Sequence, residues 1–255
     1  MEKVKVGLLG FGQTGKLVAE EFLKESDMEL SWVIRRSKTE KKKYAGQMLG
    51  TDDEKAGRIY SRSHFSQKFL IKHPVDMIVD FSSPSGLRLY KTAADAGIPI
   101  ISAISHYTDA EIEKLKKISE KTAVLYSPNI TLGVNLMMMI SQILQKIIPH
   151  ADIEIVEEHF KGKEGISGTA KKMASLLSVP PESVHSLRLG KTVGKHMIAF
   201  GMPNQTLTLI HESTNRAAFG QGAIFAVRHM MGRESGIYSM EQMIQKMFQE
   251  NIPVY

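Results

Sequence analysis

The sequence of 255 residues contains no cysteine, and it has only 9 prolines and 1 tryptophan. Without thiols it cannot form a disulfide scaffold, a zinc site built on thiolates, an iron–sulfur cluster or a cysteine nucleophile. It also lacks any apolar run near the roughly 20 residues that a membrane-spanning helix needs. No long apolar run precedes a cleavage site near its first residues. We therefore expect a cytoplasmic protein without a membrane partner.

The composition is otherwise that of a globular protein, with 42% hydrophobic and 24% charged residues, which excludes disordered and collagen-like chains. The 33 basic and 27 acidic residues give a net charge of +6, which suits nucleic acid, an anionic cofactor or an anionic substrate. The basic residues are scattered apart from Lys41–Lys43, and aromatic residues are only 7%, so we expect no nucleic-acid partner. The 9 histidines show no convincing metal-ligand spacing, so no metal site is expected.

The first half of the chain alternates short apolar runs with amphipathic segments, which predicts an α/β fold with a parallel sheet covered by helices. The predicted strands are Val4–Gly10, Leu30–Ile34, Met77–Phe81, Ile98–Ser102 and Ala123–Tyr126. The predicted helices are Thr14–Ser26, Gly86–Ala96 and Asp109–Ser119. We interpret the segment 37–64 as a solvated excursion with at most one helical turn and a short strand near Arg58–Tyr60, and Lys38–Lys43 as surface charge.

The regular alternation of short apolar runs with amphipathic segments ends at about residue 130, which predicts a second domain of the α+β class. Its first element is a methionine-rich helix over Leu132–Ile148, whose methionines we expect in the core rather than at a cofactor. The later predicted elements are strands over Asp152–His159, Met197–Ala199 and Gln205–His211, and helices from Thr169, over Ala217–Met231 and over Met240–Gln249.

A glycine motif follows the first predicted strand and opens the first predicted helix. It reads Gly10-Phe11-Gly12-Gln13-Thr14-Gly15. Gly10 permits a tight turn, Gly12 lets the backbone approach a pyrophosphate, and Gly15 allows close packing of helix on strand. The unpaired N–H groups of the helix start then face the phosphates. The motif predicts dinucleotide binding, and the alternative is a structural turn rich in glycine.

The end of the second predicted strand bears on the choice of cofactor. A site selective for NADH places an acidic residue there to bind the ribose 2′-hydroxyl. This chain has Arg35 and Arg36 followed by Ser37 instead. Guanidinium groups bind phosphate with paired donors, so NADPH is favoured over NADH. The alternative is that both arginines are ordinary surface charges.

Three further strand ends carry small or hydroxyl-bearing residues. Ligands of open parallel sheets lie beyond the carboxyl ends of the strands, so these ends fit a groove for a ribose and a nicotinamide. The predicted cofactor contacts there are Phe81, Ser102, Ala103, Ile104, Tyr126, Ser127, Pro128 and Asn129.

The most specific feature lies in the second half, where a predicted strand ends at His159. A loop with Lys161 and Lys163 follows, and Ser167-Gly168-Thr169 then opens a helix. Histidine can donate or accept a proton near neutral pH, and the helix start can bind an anion. The segment predicts a pocket for an acidic substrate beside a proton donor. The alternative is a structural histidine.

The sequence resembles the 4-hydroxy-tetrahydrodipicolinate reductase (dihydrodipicolinate reductase) family of lysine and diaminopimelate biosynthesis, over nearly its whole length. The resemblance rests on the glycine motif, Val79–Ser82 with Pro84, Ser127-Pro128-Asn129 with Gly133-Val134-Asn135, Glu154–Glu157 leading to His159 and Lys163, Ser167–Ala170, Arg216, Phe219, Gly222-Ala223, Gly236, Tyr238 and Met240. Their order and spacing agree with the family throughout.

The resemblance implies an NAD(P)H-dependent reductase that transfers a hydride to a conjugated cyclic imine. It implies a Rossmann-type dinucleotide-binding domain, 1–129 with 219–255, and an α+β domain over 130–218 for substrate binding and oligomerisation into a homotetramer. By the same resemblance His159 donates or accepts a proton and Lys163 donates one. Gly168 and Thr169, with Ser167 before them, bind a carboxylate of the small anionic substrate.

The chain departs from the family pattern near the expected substrate. Phe160 stands where the family has a second adjacent histidine, the Asp-Ala-Pro stretch is shortened to Gly165-Ile166, and Ser102–Ser105 replaces a Gly-Thr-Thr-Gly loop. We still count Phe160 among the substrate contacts. The departures keep two alternatives open, a reductase of a different imino acid and a non-catalytic nucleotide-binding protein.

Overall fold

The structure is a computed structural model that describes residues 2–36 and 43–252. The predicted surface charge of Lys38–Lys43 therefore lies outside the described residues except for Lys43, which is exposed, and Ser37 lies outside them as well. Among the helices of the described ranges, none combines the length and the apolar character needed to cross a membrane.

The chain divides into two compact units. The first comprises the chain up to Ile130 together with Phe219–Met243, and the second comprises Thr131–Ala218 with the chain from Ile244 onward. The division predicted above, 1–129 with 219–255 against 130–218, differs from this grouping in the last helix, whose residues from Ile244 onward group with the second unit.

The first unit is built on a seven-stranded sheet in which every described pairing is parallel. Its strands are β1 (Val4–Leu9), β2 (Met28–Arg35), β3 (Arg58–Ser61), β4 (Met77–Asp80), β5 (Ile100–Ser102), β6 (Ala123–Tyr126) and β11 (Gly236–Tyr238). Their order across the sheet is β11-β6-β5-β4-β1-β2-β3. The order reverses beside β1, where α/β sheets of this kind bind ligands beyond the strand ends. The predicted Rossmann-type parallel sheet is confirmed.

Helices connect these strands and cover the sheet. They are α1 (Gln13–Lys24), α2 (Ala45–Leu49), α3 (Gln67–Lys72), α4 (Leu87–Asp95), α5 (Asp109–Ser119) and most of α8 (Ala217–Met230). Helix α5 has the predicted bounds because Thr108 and Glu111 form a reciprocal capping box at its start. Helix α2, of 5 residues, is the helical turn expected within 37–64, and α3, of 6 residues, was not predicted.

The core of the first unit forms around the single tryptophan. Trp32 on β2 is buried, and its ring meets the edges of Phe65 and Phe69 at centroid distances of 5.9 and 5.4 Å. Gly7 on β1 makes room for it, because a Cβ at that position would lie 2.3 Å from the indole ring. A small residue in one strand and a large aromatic in the next thus fill a single layer of the core.

The second unit contains a four-stranded mixed sheet in the order β10-β9-β7-β8. The strands are β7 (Asp152–His159), β8 (Val184–Arg188), β9 (Gly194–Met202) and β10 (Gln205–Ser213), and the helices are α6 (Leu132–Ile147), α7 (Gly168–Leu176) and the larger part of α9 (Met240–Asn251). Strand β8 runs parallel to β7, and β9 is antiparallel to β7 and β10. Met137, Met138 and Met173 pack with Ile155 and Phe200 in its core, as the methionine-rich pattern predicts.

Candidate functional site

The glycine motif forms the tight turn that the sequence predicts between β1 and α1. Gly10 has a φ of 97°, and a Cβ there would lie 2.7 Å from the backbone of Phe81. A Cβ on Gly15 would lie 2.3 Å from the carbonyl oxygen of Gly10. Both positions therefore require glycine, the first for conformation and both for space. A Cβ on Gly12 would have no heavy atom of the described residues within 4 Å, apart from its chain neighbours and its own helix.

Helix α1 begins at this turn without a side-chain cap. Gln13 and Thr14 occupy its first two positions, and Gly12 precedes them as the N-cap. The first N–H groups of a helix have no partner within the helix, and the helix dipole favours negative charge there. The open space at Gly12 and the uncapped helix start together fit the pyrophosphate of a dinucleotide.

A cavity of about 320 Å³ lies beside this turn. Among the residues that line it are the predicted contacts Gly10, Phe11, Gly12, Arg35, Arg36 and Phe81. Arg62, which the sequence analysis missed, lines it as well. The Arg62 guanidinium donates to the Ser85 hydroxyl at 2.9 Å and to the Ser85 carbonyl oxygen. Three guanidinium groups therefore border one cavity, which suits a phosphorylated ligand.

The other predicted strand-end residues lie outside the lining of this cavity. The Ser102 hydroxyl is buried and lies 3.0 Å from the Tyr107 hydroxyl, and the buried Ser127 hydroxyl donates to the Asn129 carbonyl oxygen at 2.8 Å. Ile104 is also buried, and Ala103, Tyr126, Pro128 and Asn129 are half-buried. The two hydroxyls thus hold the carboxyl edge of the sheet together by bonds within the protein.

A buried polar network continues from Ser102 to Asp80 at the end of β4. Tyr107 donates to the Tyr90 hydroxyl at 3.3 Å, and Tyr90 donates to Asp80 Oδ2 at 2.8 Å. The other carboxylate oxygen of Asp80 accepts the Ser82 backbone N–H at 2.7 Å. Burial raises the pKa of Asp80 to about 6, although the hydrogen bonds from Ser82 and Tyr90 work against the shift. The carboxyl anchors the backbone at Ser82, which lines the cavity.

In the second unit, His159 lies at the carboxyl end of β7, beside Glu157. Both side chains are buried, and Glu157 Oε2 is hydrogen-bonded to His159 Nδ1. The other oxygen of Glu157 accepts from the Ser186 hydroxyl at 2.6 Å and from Arg188 Nη2 at 2.8 Å. Arg188 Nε also donates to the Lys163 carbonyl oxygen at 2.8 Å, which ties the loop after β7 to β8.

The charges of this cluster follow from its burial and hydrogen bonds. Burial works to raise the pKa of Glu157, but hydrogen bonds from Ser186, Arg188 and His159 outweigh it and lower that pKa. Burial lowers the pKa of His159, the nearby Glu157 carboxylate opposes this, and the charge of Lys163 adds to the lowering. At neutral pH the cluster therefore holds a carboxylate and a neutral imidazole, with the Lys163 cation close by.

Helix α7 begins next to this cluster. Ser167 caps it by accepting the Ala170 N–H at 3.1 Å, and its hydroxyl also lies 3.3 Å from His196 Nε2. Gly168 is exposed, with no heavy atom within 4 Å of a built Cβ, and Thr169 follows in a half-buried position. The helix start thus has open space beside Gly168, as an anion site requires.

Two further residues lie near His159, one missed by the sequence-based expectation and one predicted from it. His196 on β9 was missed, although its ring centroid lies 5.4 Å from that of His159 and burial lowers its pKa to about 4. Phe160, predicted as a substrate contact, is 40% exposed. His196 lies 37 positions after His159 in the sequence, so only strand pairing brings them together.

Glu157, His159 and His196 each offer a ligand atom within 4.8 Å of the others, a set that can hold a metal ion. No metal site was expected, because the histidines of the sequence do not show the spacing of metal ligands. Arg188 already pairs with the carboxylate at 2.8 Å, and the charge of Lys163 lowers the pKa of both histidines. A further cation would meet this positive charge, so the geometry favours proton handling at these groups.

Comparison with known proteins shows that both halves of the chain match one family. The chain matches the family models "Dihydrodipicolinate reductase, N-terminus" over residues 4–130 and "Dihydrodipicolinate reductase, C-terminus" over residues 133–244. It is 30% identical over 199 residues to the 4-hydroxy-tetrahydrodipicolinate reductase of Caldanaerobacter subterraneus subsp. tengcongensis, covering 69% of this chain and 79% of the relative. It is 29% identical over 268 residues to that of Aquifex aeolicus, covering 93% and 97%.

A solved structure shares the fold. The dipicolinate-bound dihydrodipicolinate reductase from Paenisporosarcina sp. TG-14 matches with a TM-score of 0.76 at 20% identity, covering 93% of this chain and 97% of that chain. The family models together span both units, and the sequence resemblance is confirmed. The chain therefore belongs to the dihydrodipicolinate reductase family and is a nicotinamide-dependent oxidoreductase.

Proposed function

We propose that this protein reduces 4-hydroxy-tetrahydrodipicolinate to tetrahydrodipicolinate with NADPH, in lysine and diaminopimelate biosynthesis. The observation that carries the proposal is the cluster at the end of β7, where a neutral His159 and the Lys163 cation lie beside the open start of α7. A dicarboxylate imine needs these two elements, a carboxylate site and a proton source. The family names given above support the same reaction.

The first unit fits the cofactor. The open space at Gly12 and the uncapped start of α1 would hold the pyrophosphate, and NADPH when bound supplies the hydride. Arg35 and Arg36 support a preference for NADPH, because both line the cavity at the end of β2, and among the described residues that line it none carries a carboxylate to bind a ribose 2′-hydroxyl. Arg62 adds a third cation to the same cavity.

The second unit fits the substrate. Gly168 and Thr169 at the start of α7 would bind one carboxylate through backbone N–H groups and the helix dipole. Loss of the 4-hydroxyl as water would give a conjugated cyclic imine, and hydride addition at the ring carbon that carried the hydroxyl would leave an electron pair on the ring nitrogen. Lys163 would donate a proton to that nitrogen, and transfer of this proton to the ring carbon next to the site of hydride addition would restore the cyclic imine of the product. The charge of Lys163 would also attract the dianionic substrate. His159, neutral at neutral pH, would accept or return a proton beside it.

The homotetramer and the cytoplasmic location remain predictions. For the tetramer, we propose the second sheet as the surface between subunits, because Leu187 on β8 is 51% exposed and Ile210 on β10 is 60% exposed. Apolar side chains on one sheet suit burial against another copy of the chain.

A different imino acid is the second candidate substrate. Phe160 replaces a histidine that the family pattern places beside His159, and Ile104 replaces a threonine of another family loop. Both changes make their surroundings more apolar. A substrate panel tests the alternative, since preference for a less polar imine would favour it and preference for the dicarboxylate would exclude it.

The proposed reaction is tested with purified protein, NADPH and the condensation product of aspartate semialdehyde and pyruvate. We expect oxidation of NADPH that depends on this product and exceeds the rate with NADH. His159→Gln and Lys163→Ala should each lower kcat by roughly 10²-fold or more. Lys161→Ala, an exposed lysine in the same loop, is the matched control and should retain turnover. Background rates with the wild-type protein would exclude this substrate, and unchanged kcat in both variants would remove the assigned roles.

A further inference from the structure

We propose that Glu157 is a positioning residue that fixes His159 with Nε2 as its proton-transferring nitrogen, and that Gly194 keeps the space at Nε2 open. The inference rests on the proposed function, because it assigns the working atom of a histidine given a role there. Neither Glu157 nor Gly194 has a role in the proposed function as given above.

The first step is the rigidity of Glu157. Its side chain is fully buried, and β8 supplies two donors to one of its oxygens, Ser186 at 2.6 Å and Arg188 at 2.8 Å. The parallel pairing of β7 with β8 places Ser186 opposite Glu157 and Arg188 opposite His159. A buried carboxylate is stable only when paired in this way. The carboxylate is therefore held in one orientation by strand register, independently of His159.

The second step is the tautomer of His159. An ionised carboxylate can only accept hydrogen bonds, and Glu157 Oε2 is bonded to His159 Nδ1. The Nδ1 atom must then carry the hydrogen, which leaves the lone pair of the neutral ring on Nε2. A carboxylate bonded to one ring nitrogen fixes the role of the other in this way. The proton that His159 accepts or returns is thus assigned to Nε2.

The third step is the space in front of Nε2. Gly194 begins β9, next to Lys195, which pairs with Glu158 on β7. A Cβ on Gly194 would lie 3.2 Å from His159 Nε2. Gly194 is not among the glycines with positive φ, so its backbone would accept alanine. The glycine is therefore needed for the room it leaves beside the imidazole and not for its conformation.

The pH profile of kcat/KM reports on this arrangement, because the structure shows the charged and titratable groups around His159. Glu157 faces it from its own strand, Arg188 from β8, Lys163 from the loop after β7, and His196 from β9. Glu157 alone among them stabilises the protonated ring. Removing its charge leaves burial and two cations, all of which favour the neutral ring.

The test uses the full chain with ¹⁵N-labelled histidine, and it reads the tautomer of His159 by NMR without substrate or cofactor. The wild-type protein should show hydrogen on Nδ1. In Glu157→Gln the amide oxygen should remain with Ser186 and Arg188 and the NH₂ group should face Nδ1, so the hydrogen of the neutral ring should move to Nε2. The variant should also shift the acidic limb of the pH profile of kcat/KM to lower pH and lower kcat roughly 10²- to 10⁴-fold. Glu158→Gln, on the opposite face of the same strand, is the matched control.

Gly194→Ala tests the space in front of His159 Nε2 separately from the orientation of the ring. It should leave the Nδ1–H tautomer intact and reduce kcat/KM at least about tenfold, because the methyl group occupies the approach to Nε2. It also keeps the proposal testable if Glu157→Gln does not fold. The proposal is overturned if Glu157→Gln keeps the tautomer and the pH profile of the wild-type protein, or if Gly194→Ala turns over normally. A wild-type protein that shows the Nδ1–H tautomer but no turnover would refute the proposed function and leave the orientation of His159 standing.

Discussion

Asp80 should make the first unit less stable as the pH rises from acid to neutral. Its carboxyl is fully buried, and burial raises its pKa from 3.8 to about 6. Below pH 3.8 the group is protonated in the folded and unfolded chains alike and costs nothing. As the pH rises toward about 6, the unfolded chain ionises first, so the free energy of unfolding falls. Above the folded pKa the full loss is about 3 kcal/mol.

The substitution Asp80→Asn isolates this effect, because the amide keeps the shape but cannot ionise. Its oxygen can still accept the Ser82 N–H, and the Tyr90 hydroxyl can turn to accept from its NH₂ group. The unfolding free energy of the wild-type protein relative to the variant should fall by about 2 kcal/mol between about pH 4.5 and about pH 7.5. Comparing the two proteins at each pH cancels the other titrating groups.

Denaturant unfolding followed by tryptophan fluorescence is the assay. Trp32 is the single tryptophan and lies in the core of the first unit, so its signal reports on the unit that contains Asp80. Asp52→Asn, which removes an exposed carboxylate of the same unit, is the matched control. A wild-type-minus-Asp80→Asn difference that stays constant over the whole pH range would refute the reasoning.

Four further predictions concern glycines and arginines of the first unit. Gly10→Ala should destabilise the protein by roughly 1–3 kcal/mol, because it combines a φ of 97° with a Cβ 2.7 Å from the backbone beyond β4. Gly12→Ala should keep the thermal midpoint, since its Cβ meets nothing within 4 Å, but weaken NADPH binding in a fluorescence titration. Replacing Arg35 and Arg36 together by alanine should raise the Kd for NADPH at least about tenfold and change that for NADH less, and equal effects would contradict 2′-phosphate recognition. Gly220→Ala should lower the thermal midpoint, because its Cβ would lie 2.8 Å from a side chain of α1, and an unchanged midpoint would show that this contact yields.

Most elements of the fold could be predicted because their signals are local. Strands β6 and β7 and helix α5 have the bounds that the apolar patterns and the capping box predict. Strands β8 and β11 were missed for physical reasons. Strand β8 carries exposed residues at its centre, and β11 has only 3 residues. A short edge strand is stabilised by pairing with a distant strand and leaves little trace in its own sequence.

The same distinction applies to the candidate sites. The glycine turn could be predicted because one turn and one helix start determine its shape. Arg62 could not, since it follows β3 in a segment without a motif and reaches the cavity only through parallel pairing of β3 with β2. His196 and Arg188 were missed for the same reason, because each reaches His159 across a sheet.

The position of Phe160 determines how the absence of a second motif histidine affects the chemistry. Phe160 is 40% exposed, whereas the groups that set the charge of His159 are the buried Glu157 on β7 and the half-buried Arg188 on β8 and Lys163 in the loop after β7. Replacing a histidine by phenylalanine at an exposed position leaves Glu157, Ser186 and Arg188 in place. The groups that set the protonation of His159 are therefore unaffected by Phe160, and any change that Phe160 causes should appear in substrate affinity. The substrate panel and the pH profile thus report on separate parts of the site, and they can give different answers without contradiction.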